Sequence, residues 1–308
     1  MSELGLGLQG DKAPGAYGVL AHRAEEAGFD VVTVFNDLFF QPALPPLLEI
    51  ARATERVRLG PSALNPFTTH PVEIAGQIAA LDAASGGRAF LGLAAGAWLD
   101  RLGLDTSRPL TAIREAWEIV SRLLAGDESG FDGELFHLAA GNRLAYEPVR
   151  RSVPLLVGTW SPRLTAFAAE EADELKLGGC ANPAMVALAR ERLGDSDTRL
   201  VAGAVTVVDD DDAAARAHAR EQVALYLPVV AGRDPTVDVD SDVPADEIPD
   251  EVLDLFAFAG EPARIVEHAR RLFEAGADRV EFGTPHGVDE ARGVELLATR
   301  VAPALREP

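Results

Sequence analysis

The chain of 308 residues carries 49 acidic and 28 basic side chains, a formal net charge of −21. Such a chain repels nucleic acid and anionic membrane unless a local basic patch intervenes. Hydrophobic residues make up 47% and charged residues 25%, which excludes a disordered, collagen-like or coiled-coil chain. The single cysteine, Cys180, excludes an intramolecular disulfide framework and a cysteine-based zinc site.

Basic residues are almost all arginine, with Lys12 and Lys176 the only lysines. Residues 1–10 lack the basic start and long apolar run of a signal peptide. No window reaches the roughly 20 apolar residues of a bilayer span. The expectation is a cytoplasmic protein.

In chain order, an apolar run at 4–9 precedes a helix over 17–27, whose stripe is Tyr17, Leu20, Ala24 and Ala27. Gly28 stops it, and the β-branched run 30–35 reads as a buried strand. A helix at 45–54 and a strand at 56–64 follow. Pro71 opens the next helix, with Val72, Ala75, Ile78 and Leu81 as its stripe. A strand at 88–93 comes next, then a helix capped by Thr111 with Ile113, Ala116, Trp117, Val120 and Leu124 inward.

Residues 130–138 alternate around Gly133 as a surface hairpin. Strands at 154–157, 174–177 and 200–208 then alternate with helices at 163–171 and 184–193. Asp209–Asp212 open a polar helix through Leu227, acids being favourable at a helix N-terminus. Residues 234–254 hold nine acids, no bases and three prolines, and read as a solvated insertion. A helix from Pro262, a strand at 279–283 and a helix at 288–305 complete the chain.

About eight strand–helix units in one chain point to an α/β fold, a (β/α)8 barrel, forming a single domain over 1–308 with an acidic insertion near 234–254. A doubly wound sheet is the alternative. In a barrel the active site lies beyond the C-terminal strand ends, so residues there are the candidates.

Asn36 and Asp37 follow the second strand. Residues 60–71, GPSALNPFTTHP, follow the third and hold three prolines. Asn65 and His70 each precede a proline and are pushed away from helical backbone. His70 is either a general base or a helix cap. Gly96 and Trp98 lie beyond the fourth strand, where small residues admit a flat ligand. Gly158-Thr159 and Gly178-Gly179 place backbone amides near helix starts, a setting for phosphate, with Lys176 as a further candidate. After the last strand, His286 is a candidate substrate contact or acid–base group. Glu281 within that strand is either a barrel-interior charge with a buried partner or an outward residue. No nucleophile elbow, P-loop, metal-spaced cluster or dinucleotide fingerprint occurs. A phosphate-bearing redox cofactor fits this set.

Four segments resemble the luciferase-like superfamily of flavin- and deazaflavin-dependent (β/α)8 barrels. They are AEEAGFDVVTVFND, NPFTTHPVEIAGQIAALDAASGGRAFLGLAAG, PLLVGTWSPRLTAFAAEEADELKLGG and FAFAGEPARIVEHARRLFEAGADRVEFGTPHG. GPSALNPFTTHP and FGTPHG are most similar to the methylenetetrahydromethanopterin reductase branch. The resemblance implies hydride transfer with coenzyme F420. It implies a non-proline cis peptide at Ser62-Ala63 behind the ring, phosphate contacts at Gly158, Thr159, Gly178 and Gly179, and a ring lined by Asn36, Asp37, Asn65 and Trp98.

Three positions depart from family patterns. Leu38 and Ala97 replace a His and a Glu of the sugar-phosphate dehydrogenases, and Gly7 stands where the methylene-pterin reductases carry a Glu. Alternatives are an FMN-dependent monooxygenase and a cofactor-binding barrel without turnover. The expected partners are a small-molecule substrate and a second copy of the chain as a homodimer or higher homo-oligomer, with neither nucleic acid nor membrane.

Overall fold

The structure, a computed structural model, describes residues 2–307. Eight parallel strands form the frame: β1 Glu3–Leu8, β2 Val31–Val34, β3 Arg58–Pro61, β4 Leu91–Ala94, β5 Leu155–Gly158, β6 Glu174–Gly178, β7 Arg199–Val208 and β8 Arg279–His286. Hydrogen bonding runs in the order β3-β2-β1-β8-β7-β6-β5-β4. The ring closes between β3 and β4 through the parallel bridges Leu59–Ala89 and Leu64–Leu93. This closure removes the open doubly wound alternative.

Closure depends on two glycines. A Cβ on Gly60 would collide with the Phe90 carbonyl, and one on Gly92 with that of Pro61. Without side chains, β3 and β4 approach closely enough to seal the barrel.

The helices are α1 Ala16–Glu26, α2 Leu44–Ala53, α3 Pro71–Ala84, α4 Pro109–Ala125, α5 Pro162–Glu171, α6 Pro183–Leu193, α7 Asp212–Val230, α8 Asp250–Phe256, α9 Pro262–Glu274 and α10 Glu290–Leu296. Of the expected α1 stripe, Tyr17, Leu20 and Ala24 are buried, while Ala27 is half-buried at the C-cap; on α9, Ile265, Ala269 and Leu272 are buried. The hairpin forms from Phe131–Asp132 and His137–Leu138.

Four expectations need correction. Thr111 is not a cap, because α4 already starts at Pro109. The final helix is interrupted by a π-helical stretch, Leu297–Val301. An additional strand, Ala257–Gly260, pairs with Val205–Val208 of β7; its apolar stretch is too short to separate from the preceding helix by periodicity. The acidic insertion is anchored, not merely solvated. Asp234 is buried and accepts a 2.7 Å hydrogen bond from Asn182 Nδ2, while Arg216, also buried, donates to Asp254 Oδ1 at 2.7 Å.

Barrel interiors are usually filled by branched aliphatics. Here Val31, Phe90 and Leu156 form one small apolar cluster, and charged side chains supply much of the rest. Arg279, fully buried, and Arg58 both donate to Glu174 Oε1 at 2.9 Å. Glu3 accepts from Arg58 at 2.6 Å and Arg199 at 2.7 Å. Among the described residues no helix is long and apolar enough to cross a membrane.

Candidate active site

A cavity of about 280 Å³ opens at the C-terminal ends of the strands. Each strand end contributes by its own local logic. Asn36 and Asp37 continue from β2, Ser62, Ala63 and Asn65 from the turn after β3, and Gly96 and Trp98 from the loop after β4. Gly158 and Thr159 lie at the end of β5, and Lys176, Gly178 and Gly179 on or just after β6. Twelve sequence candidates thus converge in one cavity.

The Ser62-Ala63 peptide is cis, as the resemblance implies. It lies in the turn between Pro61 and Leu64, and both residues line the cavity. Asn65 Oδ1 accepts from the Phe67 and Thr68 amides at 3.2 and 2.9 Å, fixing the loop behind the turn. Asn36 is similar: its Oδ1 accepts from the Ala43 amide at 3.0 Å. Each asparagine therefore commits its side-chain carbonyl to its own loop, and both residues line the cavity.

The surroundings of the expected glycine cradle differ from one helix start to the next. Gly178 borders open space, with nothing within 4 Å of where a Cβ would sit. Its carbonyl is held by Trp160 Nε1 at 3.0 Å. Nearby, α5 begins without a side-chain cap, leaving its first-turn amides for a ligand or water. The start of α6 is not available, because Asn182 Oδ1 already accepts from the Ala184 amide at 3.0 Å.

Lys176 does not reach this cradle. Its Nζ donates to Ser62 Oγ at 2.7 Å, pairs with Glu281, and sits 5.2 Å from the centre of the Phe35 ring. The expected phosphate role is therefore corrected: an inward strand position turns the ammonium to the barrel axis. Glu281 is the barrel-interior charge, and its Oε1 also accepts from Thr33 Oγ1 at 2.9 Å. Burial pushes the Glu281 carboxyl up, but the Lys176 ammonium and Arg279 guanidinium outweigh it and hold the carboxyl below the usual range.

Gly7 explains the missing carboxylate on β1. A Cβ there would lie 2.6 Å from the Phe35 ring and 3.0 Å from Glu281 Oε1. That space is filled by side chains from β8 and from just beyond β2.

Asp37 Oδ2 accepts from Gln9 Nε2 at 3.0 Å. Burial raises the Asp37 carboxyl above its ordinary value, against the opposing pull of Gln9 and Lys176. Tyr226 faces the same cavity, and burial, with help from the Asp37 charge, pushes its phenol up to about 12. Its ring packs against Trp98 with centroids 5.7 Å apart.

The two histidine candidates stand outside the cavity lining. His70 is exposed and caps α3, its Nδ1 accepting from the Val72 amide at 3.2 Å. His286 is fully buried. Its Nε2 lies 3.1 Å from the Gly7 carbonyl and its Nδ1 3.6 Å from Glu290 Oε1. Neither contacts the space where a ligand would react.

Sequence reasoning missed the wall formed by α7. Val223, Tyr226 and Val230 line the cavity. Their spacing of three and four residues marks one helical face, a signal present in the sequence. Arg233, just beyond α7, also lines the cavity and forms no ion pair among the described residues.

Comparison with known proteins agrees with this geometry. The luciferase-like monooxygenase family matches residues 4–279. A 5,10-methylenetetrahydromethanopterin reductase of Archaeoglobus fulgidus is 30% identical, covering 92% of this chain and 93% of that one. An F420-dependent glucose-6-phosphate dehydrogenase of Nocardia farcinica is 25% identical over 93% of each chain. The solved coenzyme F420 dependent tetrahydromethanopterin reductase from Methanopyrus kandleri superposes with a TM-score of 0.88 at 24% identity, covering 99% of both chains. With a match over nine-tenths of its length and the barrel to go with it, the chain belongs to the luciferase-like monooxygenase family.

Proposed function

We propose that this chain is a coenzyme F420-dependent oxidoreductase, passing hydride to or from a small organic substrate of the methylene-tetrahydropterin or folate class. The whole chain, 1–308, acts as one luciferase-like domain. One observation carries the reading: an apolar cavity at the strand ends is floored by the Ser62-Ala63 turn and ends at the open Gly178 cradle. A flat ring with a phosphate-bearing tail fits that shape. The names of the full-length relatives support the choice of deazaflavin.

Bound there, the deazaflavin supplies a carbon centre that accepts or gives hydride. Ser62 and Ala63 would bed the ring, with Asn36, Asn65, Gly96 and Trp98 around it. Gly158, Thr159, Gly178 and Gly179 would meet the phosphate, and Arg233 at the rim offers it a counter-charge within an acidic protein. Asp37, poised above the ordinary carboxylate range, holds or accepts a proton beside the substrate. His70 and His286 take no chemical part.

Titration of the purified protein with coenzyme F420 and with FMN, followed by fluorescence, tests this. Micromolar or tighter binding of F420 with preference over FMN supports the reading. Preference for FMN sends the chain to the monooxygenase class, and binding of neither refutes both.

A further inference from the structure

The barrel holds a buried cluster that the proposed chemistry does not yet use. Lys176 and Glu281 are 5% and 1% exposed. They project from β6 and β8 to the barrel axis, where both also line the cavity, and Lys176 Nζ donates to Ser62 Oγ at 2.7 Å. Ser62 in turn lines the cavity.

Hydrogen-bond direction decides what Ser62 can do. An ammonium is donor-only, so Ser62 Oγ is the acceptor of that bond. Its own proton is then left to donate, and among the described residues no acceptor takes it. Burial lowers the Lys176 ammonium below its ordinary value, while the Glu281 carboxylate in contact with it favours the charged form and keeps it aimed at Ser62. Thr33 Oγ1, donating to the same carboxylate oxygen, fixes Glu281 from β2. No freely rotating choice remains: the serine hydroxyl becomes a donor polarised by a buried cation.

We infer that Ser62 is a binding residue that donates a hydrogen bond to the cofactor ring, strengthened by Lys176, with Glu281 as a positioning residue. The inference rests on the proposed F420 reading. Hydride transfer to the bound ring would break a substrate C–H bond as a ring C–H bond forms, leaving the added electron density on the ring's conjugated nitrogens and carbonyls. The substrate is oxidised by the same two electrons. The reduced ring is the more electron-rich acceptor, and charge-assisted hydrogen bonds are about twice as strong as neutral ones. Ser62 therefore favours the reduced form over the oxidised one. The device also accounts for Gly7, since a longer side chain there would press on Phe35 and Glu281.

The test measures dissociation constants for oxidised and reduced coenzyme F420 separately, and the midpoint potential of the bound cofactor. Variants are Ser62→Ala, Ser62→Thr and the double Lys176→Met/Glu281→Leu, which removes both charges together. Ser62→Ala is expected to weaken the reduced form about tenfold more than the oxidised one, lowering the bound midpoint by about 30 mV for a two-electron couple. Ser62→Thr keeps the preference. The double variant loses it, and adding Ser62→Ala to it brings no further loss. Equal weakening of both forms in Ser62→Ala, or an unchanged potential, overturns the inference while leaving F420 binding intact. Failure of the unmodified protein to bind either form removes the functional reading itself, and this inference with it.

Discussion

Gly178→Asp separates a cofactor cradle from a structural glycine. The position sits at the end of β6, and a Cβ there meets nothing within 4 Å. Its backbone is not among the left-handed glycines, so an aspartate fits without strain. A substitution in open space changes stability by roughly 0.5 kcal/mol or less. A bound phosphate would instead face a new carboxylate. Two unit charges about 4 Å apart repel by about 1 kcal/mol in water and about 4 kcal/mol at the effective dielectric of a protein surface. At about 1.4 kcal/mol per factor of ten, cofactor affinity should fall by roughly fivefold to several hundredfold. Gly178→Asn supplies the same bulk without charge and should lose much less. The assay is fluorescence titration of F420 alongside a thermal melt. The cradle assignment is refuted if Asp leaves affinity unchanged, or if Asn and Asp lose it equally.

Other expectations follow from single contacts. His70→Ala removes the α3 cap and should cost about 0.5–1 kcal/mol in urea unfolding, with F420 affinity unchanged; a collapse of affinity would return His70 to the site. Asp37 is held above its ordinary value, so its stabilising contribution is full below its unfolded pKa and is lost as pH rises through the folded one. Asp37→Asn should therefore raise the melting temperature at neutral pH and lose that gain in acid; the opposite trend would contradict the burial argument. Arg279→Met leaves Glu174 and Glu281 with less compensation inside the barrel, and should destabilise by about 3 kcal/mol in chemical denaturation. The expected homodimer is checked by sedimentation equilibrium, where a monomer at micromolar concentration would refute it.

Most of the backbone plan was legible because its signals are local. Apolar stripes at helical spacing, prolines at helix starts, and β-branched runs bounded by glycine place nearly every barrel strand and helix. Counting units then indicated the barrel, and the barrel pointed to the strand ends. Twelve of the candidates selected that way share one cavity. Signals failed where the element was short or its partner distant. Ala257–Gly260 needed β7 beside it to become a strand, and 234–254 looked solvated because Asn182 and Arg216, which anchor it, lie far away in sequence.

By itself, then, the sequence determined the order and identity of the strand–helix units, the family resemblance and the list of residues at the strand ends. Alternation along β6 and β8 also put Glu174 with Lys176, and Arg279 with Glu281, on common faces, since side chains repeat every two residues. Which face turned inward was decided only by closure of the sheet. Closure required the side-chain-free approach at Gly60 and Gly92. It brought Lys176 of β6, Glu281 of β8 and Ser62 of the turn after β3 together at one axis. It likewise drew Lys176 away from the phosphate cradle, buried His286 against Gly7, and left His70 as a helix cap. A charge can be buried only where a partner meets it, and such meetings across a hundred residues of chain are properties of the closed barrel, not of any segment within it.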